Sequence, residues 1–368
     1  MELGLTDEQK LLATTVDTLL RKRYDPETRH ALLGSPGGWS REMWQRYAEL
    51  GLLGLGVDER YGGAGTGLTE IAVVMETFGR HLVLEPFLPT VVRAGQLVAA
   101  AGSAAQKELL LPRITRGELL MAWAHTERAT RPVARAVPAA DGWRLSGEKI
   151  AVTGGDSAEV LVVTAHRPDG KPGLFLVDAA ATRQQPYRMH DGHRGADIRL
   201  DDTVATALGT GTDVTEVIET VLDATMVALC AEAVGAMDRM LELTVGYLKS
   251  RAQFGHPIGT FQVLRHRAAD MYLSLEQARS MALLARLAAD GPSDARRRAA
   301  VRAAKIQVDL SARHIGHEAV QLHGGIGMTD EYPVCHYFKR TTVIARLAGD
   351  LDALVTGLGE QGGLIPAG

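Results

Sequence analysis

Apolar residues recur every three to four positions from Thr6 to about residue 120, alternate with polar ones from there to about 210, and then return to helical spacing. In the first stretch Leu11, Leu12, Thr15, Val16, Leu19 and Leu20 share a face behind a capping signal, Thr6 followed by Glu8 and Gln9. Residues 39–51 predict a second helix, capped by Ser40 and closed by Gly51, and 68–79, 91–101 and 104–117 predict three more. Gly62, Gly63 and Gly65 lack the strand, turn and helix of a dinucleotide fingerprint and read as a tight loop. The alternating middle predicts strands over 121–127, 143–150, 159–165 and 173–177. Beyond it, 217–248, 262–290, 294–324 and the stretch after Pro333 predict long helices with short connections, the pattern of a four-helix bundle. The expected fold class is therefore α+β, with an N-terminal helical domain (1–120), a middle antiparallel β domain (121–210) and a C-terminal four-helix bundle (211–368).

With 368 residues, 46% of them hydrophobic, the chain can fill several packed layers. A formal net charge of -4 argues against nucleic acid or an anionic membrane as a partner. Cys230 and Cys335 stand in no metal or redox spacing and read as packing thiols. The first ten residues show no basic region before an apolar core, and no later run reaches transmembrane length without charge, so a cytoplasmic protein without a metal is expected.

Candidate chemistry concentrates where two long helices meet, between Tyr247 and Met271. Gly255, Pro257 and Gly259 break both helix and strand there. The turn carries Arg251, a fork of donors suited to a pyrophosphate, with Phe254 and Phe261 as apolar faces and Gln262 as an amide able to read a heterocycle edge. An ordinary helix turn with a surface arginine is the plainer alternative.

The run Arg251, Gln253, Phe254, Gly255, Pro257, Ile258, Phe261, Gln262, His266 resembles the flavin-binding signature of the acyl-CoA dehydrogenase family. A second signature follows at Gln321, His323, Gly324, Gly325, Gly327, Thr329, Glu331, Tyr332 and Pro333. The order helix, β, helix matches that family over nearly the whole chain, and the stretches 228–237 and 327–332 are most similar to its pimeloyl-CoA dehydrogenase small-subunit type. The resemblance implies bound FAD, with Thr126, Thr153, Arg251, Gln253, Phe254, Ile258, Phe261, Gln262, Gln321, Gly324 and Gly325 as its contacts. Thr126 and Thr153 also read simply as β-branched strand residues. The sequence departs from the family pattern at Ala151, which stands where a tryptophan is usual, and at 128–132.

The resemblance further implies a glutamate that removes the α-proton of an acyl thioester. The family places it at one of two positions, twenty-seven residues after Gln321 or twenty-six before Arg251. Here those positions are Ala348 and Thr225. Asp223, Glu232, Asp350 and Asp352 lie nearby, Asp350 the best placed, although a two-residue offset on a helix faces nearly the opposite way. Three readings follow. The chain is an FAD-bearing subunit of a hetero-oligomer acting on an acyl-CoA or carrier-protein thioester, with a partner chain supplying the base. Or it is a homo-oligomeric tailoring enzyme for another reaction, such as non-redox cyclisation or isomerisation. Or it is a scaffold without flavin, which the intact signature residues count against.

Overall fold

Thr6 accepts from the Gln9 amide and the Gln9 side chain returns to the Thr6 N–H, a reciprocal cap that starts helix α1 (Asp7–Arg23) as the sequence predicts. The computed structural model describes residues 4–128, 130, 133–140, 142–209, 213–291 and 294–360. Two compact units emerge: one from Met1–His30, Leu68–Val83 and Met226–Gly368, the other from Ala31–Gly67 and Leu84–Thr225. Each unit draws on more than one of the three sequence regions. Helix α2 (Pro26–Gly34), which the apolar pattern does not announce, runs across the boundary between them.

The first unit is helical. It holds α1, α4 (Leu68–His81), most of α7 (Thr215–Ser250), α8 (Gln262–Ala289), α9 (Ala295–His323), α10 (Pro333–Ile344) and α11 (Leu351–Glu360). Backbones of α4 and α7 nearly touch. A Cβ added at Gly79 would lie 1.9 Å from the Glu232 carbonyl oxygen, and one at Gly235 would lie 1.9 Å from that of Glu76, so only glycine permits this approach. The predicted fourth bundle helix is in fact two. Ala348 (φ 60°) and Gly349 (φ 106°) are both left-handed, and two such residues in succession end any right-handed helix.

The second unit contains α3 (Arg41–Glu49), α5 (Gln96–Ala101), α6 (Ala104–Thr115) and the sheet. Ser40 caps α3, and Gly51 beyond it is left-handed, as expected. The expected helix over 91–101 instead begins as a π-helix, Leu88–Gly95, and becomes α-helical only at Gln96. The strands are β1 (Met121–Ala124), β2 (Arg135–Ala139), β3 (Gly142–Thr153), β4 (Val160–His166), β5 (Pro172–Asp178), β6 (Arg183–Arg188) and β7 (Arg194–Ala207), in the order β1-β4-β2-β3-β7-β5 with β6 paired to β7 off that path. β4 also pairs with β5, so the path closes on itself, and Leu145, Val163, Phe175 and Ile198 fill the interior. Antiparallel pairing holds for most neighbours, but β1 and the start of β2 run parallel to β4, which makes the sheet mixed.

Candidate active site

Each unit positions its own share of the sequence-predicted residues. In the helical unit α7 ends at Ser250 and the chain turns through a minimal hairpin, β8 (Ala252–Gln253) with β9 (His256–Pro257). Its two central residues, Phe254 (φ 53°) and Gly255 (φ 81°), both take positive φ, the geometry of a primed hairpin turn. Glycine accepts that conformation freely. Phenylalanine does not, at a cost of about 1–2 kcal/mol. The strain projects the Phe254 ring outward, 87% exposed, where Phe261 meets it edge to face at 6.2 Å. Arg251, Gln253 and Gln262 are exposed beside it, and Ile258 donates its N–H to the Arg251 carbonyl.

The second signature lies at the same end of this unit. Tyr247, in the last turn of α7, stacks 4.5 Å from His323, in the last turn of α9, and Tyr332 closes the trio at 4.8 Å from His323. His323 is buried, and desolvation holds its pKa below the usual histidine value. Gln321, Gly324 and Gly325 are exposed beyond it. Gly324 has φ 65°, which explains its glycine. A Cβ at Gly325 would meet nothing within 4 Å, so this chain's own packing does not demand glycine there.

In the second unit the loop after β1 carries Thr126, exposed and pinned from both sides. Ile150 donates to the Thr126 carbonyl at 2.9 Å. The buried Lys149 ammonium donates to the His125 carbonyl at 3.2 Å and to the Glu127 carboxylate at 2.5 Å. Burial pushes the Lys149 pKa down, and Glu127 opposes that shift. Burial first, then the neighbouring Lys149 and Arg93 charges, lower His125 to about 4, so its imidazole is neutral. Thr153 ends β3 just after an irregularity in the β3–β7 register, where Ala151 is left-handed (φ 51°). Such a bulge re-aims the side chains that follow. The Thr153 hydroxyl accepts from Arg93 Nη1 at 3.2 Å. Ala151, at the expected tryptophan position, is exposed; of 128–132, residues 129, 131 and 132 lie outside the described residues.

Arg93, Trp123, His125, Glu127 and Lys149 are functional candidates that the sequence reading does not single out. The available signal was a lone arginine within the apolar run from Leu88 to Val98.

Family models for the acyl-CoA dehydrogenase N-terminal and C-terminal domains match residues 6–118 and 215–361. Acyl-CoA dehydrogenase IpdE2 of Mycobacterium tuberculosis is 30% identical over 342 residues, 93% of each chain. The chain belongs to the acyl-CoA dehydrogenase family. Among solved structures, the Tcur3481-Tcur3483 steroid ACAD G363A variant superposes with a TM-score of 0.89 at 34% identity, covering 98% of both chains. The ChsE4-ChsE5 complex from Mycobacterium tuberculosis gives 0.89 at 25% identity, also over 98% of both. The family consists of FAD-dependent oxidoreductases, and the fold is theirs throughout.

Within that family frame, the two positions for the base lack a carboxylate in different settings. Ala348 is in the left-handed break between α10 and α11. Thr225 is buried on α7, its hydroxyl donating to the Val221 carbonyl at 2.7 Å. Asp350 is spent as a cap, its carboxylate accepting from the Ala353 amide at 3.0 Å at the start of α11. Glu232 is buried in a two-pronged ion pair with Arg340, 2.6 and 2.7 Å. Asp223 is buried and Asp352 exposed. Among the described residues no cluster of His, Cys, Asp or Glu could hold a metal, and no helix is long and apolar enough to cross a membrane.

Proposed function

We propose that this chain is the FAD-bearing subunit of a hetero-oligomeric acyl-CoA dehydrogenase, acting in the cytoplasm, in which a partner chain supplies the base. One contrast carries the reading: the signature residues Arg251, Phe254, Gln321 and Gly325 are exposed, while both base positions lack a carboxylate and, of the nearby acids, Glu232 and Asp350 are engaged elsewhere. Arg251 offers charged donors for the cofactor's pyrophosphate, Phe254 and Phe261 offer apolar faces, and Gly324 and Gly325 leave room for close approach. Thr126 and Thr153 offer hydroxyls to its ring. Bound FAD supplies the hydride acceptor. The α-proton leaves to a carboxylate this chain does not provide. The Tcur3481-Tcur3483 and ChsE4-ChsE5 structures each pair two proteins, which supports a two-chain enzyme, and the steroid ACAD among them supports a ring-bearing acyl group.

The test is anaerobic flavin bleaching by a panel of acyl-CoAs, with the purified chain alone, with any co-purifying partner, and with Ala348→Glu. The expected result is a yellow protein that bleaches about 10²- to 10⁴-fold more slowly alone than with a base restored in cis or trans. Rapid bleaching by the chain alone would overturn the reading.

A further inference from the structure

Arg93 is a cation without a counter-charge. No carboxylate among the described residues pairs with it, its Nε is sealed from water with no hydrogen-bond partner, and burial lowers its pKa to about 10. Such a group is costly unless something uses it. Its placement is also unusual. It projects from the π-helix Leu88–Gly95, a conformation that recurs at functional sites. Thr90 on the same segment donates to the Met121 carbonyl at 2.9 Å, which fixes the segment against β1. The guanidinium therefore lies over the Trp123 ring, 5.0 Å from its centroid, and reaches Thr153.

A hydroxyl that accepts from arginine keeps its own proton for another acceptor. The Thr153 proton finds none among the described residues. We propose that Arg93 is a positioning residue that poises the redox centre, fixing the Thr153 hydroxyl as a donor to the flavin and lending its unpaired positive charge to the reduced ring. This rests on the FAD reading above. Accepting a hydride places two electrons and one proton on a neutral ring system, and the resulting negative charge is stabilised by a nearby cation in a water-poor site. A paired arginine would contribute little of that. Arg93 has no such partner, and the nearby His125 imidazole is neutral.

The experiment compares flavin midpoint potentials, by anaerobic titration against a reference dye, in the full-length FAD-loaded wild type, Arg93→Met, Arg93→Lys and Thr153→Val. The expected result is a lower potential in Arg93→Met, most of the wild-type value in Arg93→Lys, and a smaller effect of Arg93→Met when Thr153→Val is already present. Equal potentials in flavin-loaded wild type and Arg93→Met would overturn this proposal alone. So would an unchanged potential with a lost preference between adipoyl-CoA and hexanoyl-CoA, which would assign the guanidinium to the acyl chain. If Arg93→Met does not fold, Thr153→Val decides: a lowered potential supports the link and an unchanged one overturns it. A wild-type chain that takes up no FAD would overturn the flavin reading and this proposal together.

Discussion

Replacing Arg340 by methionine isolates a deeply buried charge pair in the helical unit. Both side chains of the Arg340–Glu232 pair are 4% exposed, and two hydrogen bonds of 2.6 and 2.7 Å join them. Methionine keeps much of the volume but removes the charge and both donors. The orphaned Glu232 has little room to swing to water, because Gly79 brings the backbone of α4 against its own. Breaking a buried pair from one side costs about 3–5 kcal/mol. At about 2–4 °C per kcal/mol, melting should fall by roughly 10 °C. Circular dichroism melts with a denaturant titration measure it, and Arg340→Met with Glu232→Leu should recover most of the loss. A fall below about 2 °C would show that the pair is effectively solvated. Chemistry can be read from the same site. Glu232→Gln should destabilise the chain yet leave flavin bleaching per bound flavin unchanged, and a loss of bleaching would make Glu232 the proton acceptor.

Gly79→Ala should destabilise by about 3 kcal/mol or more, since its Cβ has nowhere to go but into the Glu232 carbonyl; a denaturation midpoint near wild type would refute the tight α4–α7 approach. Phe254→Gly should leave the unliganded chain as stable or up to about 1 kcal/mol more stable while weakening FAD retention, and unchanged retention would remove Phe254 from the cofactor site. Ala348→Gly should likewise stabilise by relieving a left-handed alanine, by about 0.5–1 kcal/mol on chemical denaturation, and a loss instead would mean the alanine methyl is packed. Glu76 lines a cavity of about 560 Å³ between α1, α4, α7 and α8, where burial raises its pKa against the opposing Arg279 charge, although water still reaches it. A carboxyl raised in the folded state contributes most at low pH and loses that contribution as pH climbs from the ordinary carboxylate value through the raised one. Glu76→Gln should therefore gain stability relative to wild type toward neutral pH, and parallel melting curves across that window would refute the shift.

Most helices were legible because their signals are local: Thr6 with Gln9, Ser40 with Gly51, and apolar periodicity along α7, α8 and α9. Strands β2, β6 and β7 were not. Pro138 and Pro186 sit inside two of them, and consecutive aspartates, Asp201 and left-handed Asp202, interrupt the third, so pairing across the sheet had to override local propensity. The break at Ala348 was hidden because alanine rarely takes positive φ. At the site, the motif residues were readable as a linear pattern. The grouping of Arg93, Trp123, Lys149 and Glu127 around the two threonines was not, since it depends on a π-helix and a β-bulge, neither of which has a dependable sequence mark.

The π-helix has a bearing on how this lineage can change. Each wide turn accommodates one residue more than an α-turn, so the segment Leu88–Gly95 is equivalent to a one-residue insertion whose rotational offset is absorbed before Gln96. Relatives with an uninterrupted α-helix should align to it with a single-residue gap. Deleting one residue there would rotate Arg93 by about 100° about the helix axis while leaving α5 in place, switching a half-buried cation in or out of the fold without altering any codon for the arginine itself.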